Sequence, residues 1–138
     1  MQRSHFIKSF ILFSSILFFK PSSLFASINS VRIGKRAPDF LLNGFNKNKP
    51  NQKKWSLDDF SGEWIILYFY PKDFSSGCTL EAKAFQDNLS NFKKLNTSIV
   101  GISADNAEEH ESFCTSAKLG YTLLSDTAGQ ISKLYDSW

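Results

Sequence analysis

The strongest constraint on the fold of this chain is an unbroken apolar run that is ended by a proline. Residues 64–70 read Trp-Ile-Ile-Leu-Tyr-Phe-Tyr, a continuous β-branched and aromatic run. Such a run predicts a strand that is buried on both of its faces. Pro71 cannot donate to a β-ladder and disfavours helical geometry at Tyr70, so we expect the strand to stop there.

An amphipathic helix is predicted directly after this strand. Ser75 or Ser76 can cap the helix, and Cys78 then lies in its first turn. Unpaired amide groups and the positive end of the helix dipole favour a thiolate there, which makes Cys78 a candidate nucleophile toward a peroxide or a disulfide. Burial against the same helix face favours the other interpretation, an inert core thiol. The apolar stripe of the helix consists of Cys78, Ala82, Phe85, Leu89 and Phe92.

A second strand and helix follow in the same order. Residues 98–103 form another apolar run and predict a buried strand. Asp105, with Glu108 three positions later, predicts the start of a helix that Gly120 ends. The apolar stripe of this helix is His110, Phe113, Cys114 and Ala117.

The remaining patterns complete an α/β arrangement. Residues 121–124 predict a third strand, and residues 130–138 predict a further helix. Residues 43–54 are polar and rich in turn formers, so we expect an exposed loop or hairpin there. Strands that alternate with helices indicate parallel βαβ units.

The first 26 residues predict a signal peptide. Arg3 and Lys8 precede the apolar residues 10–19, a run too short to span a bilayer comfortably. Cleavage is expected after Ala26, which leaves residues 27–138 as the folded domain without stable membrane insertion. An uncleaved membrane anchor is the alternative. Export to a periplasm, or to a thylakoid lumen if the source is photosynthetic, follows from the signal.

Composition argues for one modest domain and against a nucleic-acid partner. The chain has 138 residues, of which 42% are hydrophobic and 21% are charged. Its formal charge of +3 comes from Arg3, Lys8 and Lys20, since residues 1–26 contain no acidic residue. The remaining residues are balanced in charge, which leaves no basic stripe for phosphates.

The residues around Cys78 resemble the active-site signature of the peroxiredoxins. Pro71, Ser75 and Cys78 stand as Pro-x-x-x-Ser-x-x-Cys, and Thr79-Leu-Glu-Ala follows. The Tyr-Pro-Lys-Asp and Gly-Cys-Thr surroundings are similar to the Q-type, or bacterioferritin-comigratory, branch. Weaker similarity extends from Val31 to the end of the chain. The resemblance implies a thioredoxin-like fold of the peroxiredoxin type.

The same resemblance implies a role for each residue of the motif. In the family, the proline shields the cysteine, the hydroxyl residue hydrogen-bonds the peroxide, and the cysteine becomes a sulfenic acid. Those roles fall to Pro71, Ser75 and Cys78, with Ser75 in place of the usual threonine. The implied activity is a thiol-dependent peroxidase that reduces hydrogen peroxide and alkyl hydroperoxides. The implied reductant is a thioredoxin-like protein, and no metal or organic cofactor is implied.

Cys114 is the only other thiol, and its role is left open by the sequence. Many Q-type relatives carry a resolving cysteine five residues after the peroxidatic one, but this position is Lys83 here. Cys114 is therefore either a resolving thiol or a small buried core residue, and direct resolution by an external thiol is the leading expectation. His110 lies four positions earlier and could supply a second metal ligand, but two ligands make no site. We expect His110 at the surface or its boundary.

The chain departs from the family pattern at its end. A later strand that bears an arginine, a further strand and a helix have no counterpart here, and Arg32 and Arg36 match no family position. We expect a domain that is incomplete at the C-terminus, with an exposed sheet edge, and a monomer or weak oligomer. Two alternatives to a peroxidase remain. One is a thiol-disulfide oxidoreductase, although Ser75 stands where a Cys-x-x-Cys pair needs a thiol, and the other is an inactive fold that acts as a binding or holdase module.

Overall fold

The computed structural model describes residues 31–137 and contains one five-stranded sheet in the order β2-β1-β5-β4-β3. The predicted signal peptide, residues 1–26, lies outside the described residues. No helix within residues 31–137 is long and apolar enough to cross a membrane. The strands are β1 (Leu41–Phe45), β2 (Lys54–Ser56), β3 (Trp64–Phe69), β4 (Thr97–Ser103) and β5 (Thr122–Ser125). The helices are α1 (Ser76–Asp87), α2 (Leu89–Lys94), α3 (Ala107–Ala117) and α4 (Gln130–Leu134), with a 3-10 turn at Leu57–Phe60.

The parallel part of the sheet confirms the predicted βαβ units. Strands β3, β4 and β5 are parallel neighbours, with α1 and α2 connecting the first pair and α3 connecting the second. The polar stretch 43–54 does contain a hairpin, but β1 belongs to the sheet as an antiparallel neighbour of both β2 and β5. The sequence did not indicate β1 as a strand, because Asn43 and Gly44 within it are weak strand formers.

Within residues 31–137 the core consists of two apolar clusters, one on each face of the sheet. Alternate residues along β3 and β4 enter different clusters, as the two-residue period of a strand requires. The first cluster lies under α1 to α3 and includes Tyr68, Tyr70, Cys78, Ala82, Ile99, Phe113, Cys114 and Leu123. The second lies on the other face and includes Trp55, Phe60, Val100, Ile102 and Leu124, with Ile131 of α4 packed against it.

Strand β3 differs from the prediction of a strand buried on both faces. In residues 31–137 it pairs only with β4, so it is an edge of the sheet. Trp64 is 76% exposed, and the next three residues are half-buried. An apolar run identifies a strand, but it does not reveal how many neighbours the strand has.

Several element boundaries also differ by a few residues. The cap of α3 is Asn106 and not Asp105: its side chain accepts from the Glu109 amide at 2.9 Å, and the Glu109 carboxylate accepts from the Asn106 amide at 2.9 Å. Helix α3 ends before Lys118, which is left-handed at φ 57°, two residues earlier than Gly120 suggests. The single helix predicted after Cys78 is interrupted at Asn88, which separates α1 from α2.

Candidate active site

The turn between β3 and α1 brings Cys78 to the end of the sheet, as predicted. The Tyr70 amide still donates to Ile102 of β4 at 3.0 Å, and the chain leaves the sheet at the exposed Pro71. Helix α1 begins at Ser76, so Cys78 is its third residue and lies in the first turn. The Cys78 side chain belongs to the first core cluster and is 8% exposed. Both open interpretations of the thiol therefore describe part of its setting, since it lies at a helix start and is nearly buried.

Ser75 occupies the N-cap position of α1, but its side chain does not cap the helix. Its Oγ donates instead to the Lys72 carbonyl at 3.1 Å, across a turn in which Phe74 has a φ of 60°. The carbonyl of Ser75 accepts from the Thr79 amide and from Thr79 Oγ1, at 2.9 and 2.7 Å. A hydroxyl that donates to a carbonyl keeps its lone pairs, so Ser75 Oγ can accept a hydrogen bond from a further O–H group.

The loop before Cys78 contains a buried carboxylate that sequence reasoning missed. Asp73 is only 3% exposed, and each of its two carboxylate oxygens has a buried partner. Oδ1 accepts from the Tyr70 hydroxyl at 2.7 Å, and Oδ2 lies 2.8 Å from His110 Nδ1. The Asp73 amide donates to Asp105 Oδ2 at 2.8 Å, and Ser103 Oγ donates to the same oxygen at 2.7 Å. The ends of β3 and β4 and the start of α3 therefore meet at one loop residue.

The expectation that His110 lies at the surface is wrong, because its side chain is fully buried. It faces inward on the same stripe as Phe113 and Cys114, and Asp73 supplies the polar partner that a buried imidazole requires. Its Nε2 has no hydrogen-bond partner among the described residues. Within residues 31–137, no three histidine, cysteine or acidic side chains form a cluster that could hold a metal ion. A signal for this pair was present in the sequence, since a histidine on an apolar stripe must find a partner when it is buried.

Cys114 lies in the same core cluster as Cys78 but is completely buried within α3. Burial, and then the nearby Asp73 carboxylate, raise the pKa of the Cys114 thiol from 9.0 to about 12. Both cysteines are free thiols. Burial also raises the pKa of Tyr68 and of Tyr121, whose hydroxyl oxygens lie 2.9 Å apart beside this cluster. The folded chain therefore holds Cys114 as a protonated thiol inside the first core cluster.

Arg36, one of the two arginines considered in the sequence, forms ion pairs with two aspartates and not with Cys78. Its Nη2 pairs with Asp39 at 2.8 Å and with Asp58 at 3.0 Å, and all three side chains are exposed. A cleft of about 340 Å³ opens beside Pro71 at the ends of β3 and β4. Ser103, Ser132 and Ser137 are the serine residues among those that line it.

A thioredoxin-like sheet with a cysteine in the first turn of the helix after β3 defines a class of thiol proteins, and comparison with known proteins identifies the family. The AhpC/TSA family matches residues 33–138. The Bacillus subtilis peroxiredoxin Bcp is 37% identical over 109 residues, which is 79% of this chain and 66% of that protein. The chloroplastic peroxiredoxin Q of Arabidopsis thaliana is 40% identical over 110 residues, which is 80% of this chain and 47% of that protein.

Solved structures give the same result. A Xanthomonas campestris peroxiredoxin Q aligns with a TM-score of 0.64 and 30% identity, over 70% of this chain and 58% of its own. The Plasmodium vivax 2-Cys peroxiredoxin aligns with a TM-score of 0.68 and 32% identity, over 77% of this chain and 69% of its own. The chain belongs to the AhpC/TSA family and has a thioredoxin-like fold of the peroxiredoxin type, which confirms the resemblance seen around Cys78. It spans about half to two thirds of the length of these relatives.

Proposed function

We propose that the chain acts as a thiol-dependent peroxidase in which Cys78 is the peroxidatic cysteine. The observation that carries this proposal is the position of Cys78 in the first turn of α1. Ser75 lies three residues earlier, and its hydroxyl oxygen can still accept a hydrogen bond. Membership of the AhpC/TSA family and the names of the peroxiredoxin relatives support the same activity. The substrates proposed are hydrogen peroxide and small alkyl hydroperoxides.

The proposed reaction transfers one oxygen atom to sulfur. The Cys78 thiolate attacks the terminal oxygen of the hydroperoxide, the S–O bond forms, and the O–O bond breaks. The leaving hydroxide or alkoxide takes up the proton that the thiol released when it ionised, so water or an alcohol departs, and Cys78, which keeps the attacked O–H, becomes a sulfenic acid. Ser75 Oγ accepts a hydrogen bond from the peroxide O–H and so orients the attacked oxygen, while the proposed role of Pro71 is to shield Cys78.

A thiol must then reduce the sulfenic acid, and two routes are open to this chain. An external thiol, supplied by a thioredoxin-like donor, condenses with Cys78 directly and releases water. Alternatively, Cys114 condenses with Cys78, and the donor reduces the resulting disulfide. Two solved structures of the X. campestris peroxiredoxin Q carry serine in place of cysteines that lie 36 positions apart, the same separation as Cys78 and Cys114, which favours the second route. The full burial of Cys114 requires α3 to open first.

Intact mass tests the proposal and separates the two routes. The reduced chain is treated with one equivalent of hydrogen peroxide, with dimedone as a trap for sulfenic acid and Cys78→Ser as control. A dimedone adduct that is absent from the control supports a peroxidatic Cys78. Loss of two hydrogens instead supports a Cys78–Cys114 disulfide, and a Cys114→Ala variant should then form the adduct. An unmodified mass in a folded sample would refute the peroxidase proposal for this chain.

Ser75 offers a matched pair of variants for the same assay. Ser75→Ala removes the acceptor for the peroxide O–H, and we expect oxidation of Cys78 to slow about fivefold, which corresponds to the ~1 kcal/mol of a typical hydrogen bond between neutral groups. Ser75→Thr keeps the hydroxyl and should oxidise at a rate close to that of the unmodified chain. Equal rates for the alanine and threonine variants would exclude a substrate contact for Ser75.

We also propose that residues 1–26 direct export and are removed, leaving residues 27–138 as the working domain. The charged start and the short apolar run support this, and the chloroplastic name of one relative is compatible with a thylakoid location. The proposed domain acts as a monomer or weak oligomer in a periplasm or thylakoid lumen, where a reductant must be supplied across a membrane. N-terminal sequencing of the protein recovered from its native compartment tests the cleavage after Ala26.

A further inference from the structure

Asp73 is the point at which three elements hold the loop that precedes Cys78. Tyr70 at the end of β3 donates to one carboxylate oxygen, and His110 of α3 contacts the other. The Asp73 amide is held by Asp105, which lies between β4 and α3. We propose that the Asp73–His110 pair is a latch that positions this loop, and that on the proposed peroxidase function it thereby sets the rate at which Cys78 is oxidised.

The residue after Asp73 shows that the loop needs to be held. Phe74 has a φ of 60°, a left-handed conformation that is unfavourable for a bulky side chain. It is 55% exposed, so burial alone does not hold it. Its ring meets Phe113 of α3 edge-on, with the centroids 5.1 Å apart. Two consecutive loop residues are therefore held by the same helix, Asp73 through His110 and Phe74 through Phe113.

The bond between His110 and Asp73 is the polar part of this attachment. Nδ1 lies 2.8 Å from a carboxylate oxygen, and because a carboxylate only accepts hydrogen bonds, we assign the hydrogen of this bond to Nδ1. Both side chains are almost completely buried, at 0% and 2% exposed. Removing the imidazole would leave Asp73 Oδ2 without this donor in a site that water does not reach. We expect the equilibrium constant for loop opening to rise about tenfold or more.

In this proposal the latch acts on Cys78 through the backbone, and neither His110 nor Asp73 contacts the reacting atoms. Asp73 lies five residues before Cys78, and Ser75, the proposed peroxide contact, lies between them. When the loop opens, the Ser75 hydroxyl is no longer held in a fixed position relative to Cys78 in the first turn of α1. His110 and Asp73 are therefore positioning residues, and their loss should slow oxidation through the population of the closed loop.

Hydrogen exchange on the reduced protein tests the latch without any peroxide. His110→Leu removes the donor, whereas His110→Asn keeps an amide N–H near the position of Nδ1. The matched control is Thr122→Val, which removes a buried acceptor at the other end of β5, where Thr122 Oγ1 accepts from Asn46 Nδ2 at 2.9 Å. We expect amide exchange in residues 72–78 to rise about tenfold in the leucine variant and to stay near the unmodified rate in the other two.

The oxidation rate of Cys78, followed by dimedone trapping, provides the second measurement. His110→Leu should lower it by a similar factor, and His110→Asn should restore it. Unchanged exchange in the leucine variant, or an equal rise in Thr122→Val, would overturn the latch. If the leucine variant does not fold, Tyr70→Phe removes the other donor to Asp73 and should raise exchange in the same segment by a smaller factor. If exchange responds as expected but the unmodified chain forms no adduct, the latch is supported and the peroxidase proposal is what fails.

Discussion

The raised pKa of Cys114 makes a direct prediction about stability at alkaline pH. In the folded chain its thiol holds the proton up to a pKa of about 12, whereas the ordinary value is 9.0. Between these two values the folded state binds more protons than the unfolded state. The stability that the protonated thiol provides is therefore fully present below about pH 9 and is lost as the pH rises toward about pH 12.

The size of the effect follows from the shift. A shift of about three pKa units corresponds to about 4 kcal/mol when the titration is complete. At about pH 10.5, half of that window has been crossed, so about 2 kcal/mol should be lost. Cys114→Ala removes the titrating group and carries a cavity cost that does not depend on pH. Burial is the largest cause of the raised pKa values of Tyr68 and Tyr121, which act in the same direction; both residues are present in both proteins, so the part of their effect that burial causes cancels in the comparison.

Urea unfolding with a reductant present, followed by tryptophan fluorescence, measures the difference between the two proteins. We expect the advantage of the unmodified chain over Cys114→Ala to shrink by about 2 kcal/mol between about pH 8 and about pH 10.5. The Cys78→Ser variant should keep the same alkaline decline as the unmodified chain, because it retains Cys114. A stability difference that does not change with pH would mean that Cys114 is not buried as a neutral thiol.

Two stability predictions concern other positions and use the same unfolding assay. Gly101→Ala would put a Cβ 2.7 Å from Leu123 Cδ2 and 2.8 Å from Tyr68 Oη, so we expect a loss of about 1–3 kcal/mol. Gly77→Ala is its control, because apart from the adjacent residues and the backbone of α1 itself nothing lies within 4 Å of the new Cβ, and it should gain up to about 1 kcal/mol. Asn106→Ala removes the cap of α3 and should cost about 1 kcal/mol, and an unchanged unfolding midpoint would contradict the cap.

The sequence was sufficient to predict the elements that carry Cys78. The apolar run before Pro71 and the stripe from Cys78 onward are local patterns, and β3 and α1 form where those patterns lie. The exposure of Trp64 could not be predicted in the same way, because it depends on which strands lie beside β3. The predicted cap of α3 was wrong by one residue. The Asp105 carboxylate accepts instead from the backbone amide of Asp73, which lies in a distant part of the chain.

His110 shows the same limit at the candidate site. Its position on a stripe with Phe113 and Cys114 already indicated an inward direction, and its burial follows from that pattern. Periodicity does not identify a hydrogen-bond partner 37 residues away, so Asp73 was considered only as part of a motif. A buried histidine paired with a motif carboxylate is the kind of contact that only the folded backbone brings together.

The two cysteines belong to one core cluster but lie at different places in their helices. This difference determines which of them reacts first in the proposed chemistry. Cys78 lies in the first turn of α1, beside an exposed loop, and keeps a small exposed fraction. Cys114 lies within α3, has no exposure, and has a raised pKa, so α3 must leave the core before its thiol can react. Because α3 also holds Asp73 through His110, the same movement would release the Cys78 loop. On the Cys114 route, oxidation of Cys78 in the closed state and its resolution in the open state would then depend on one helix.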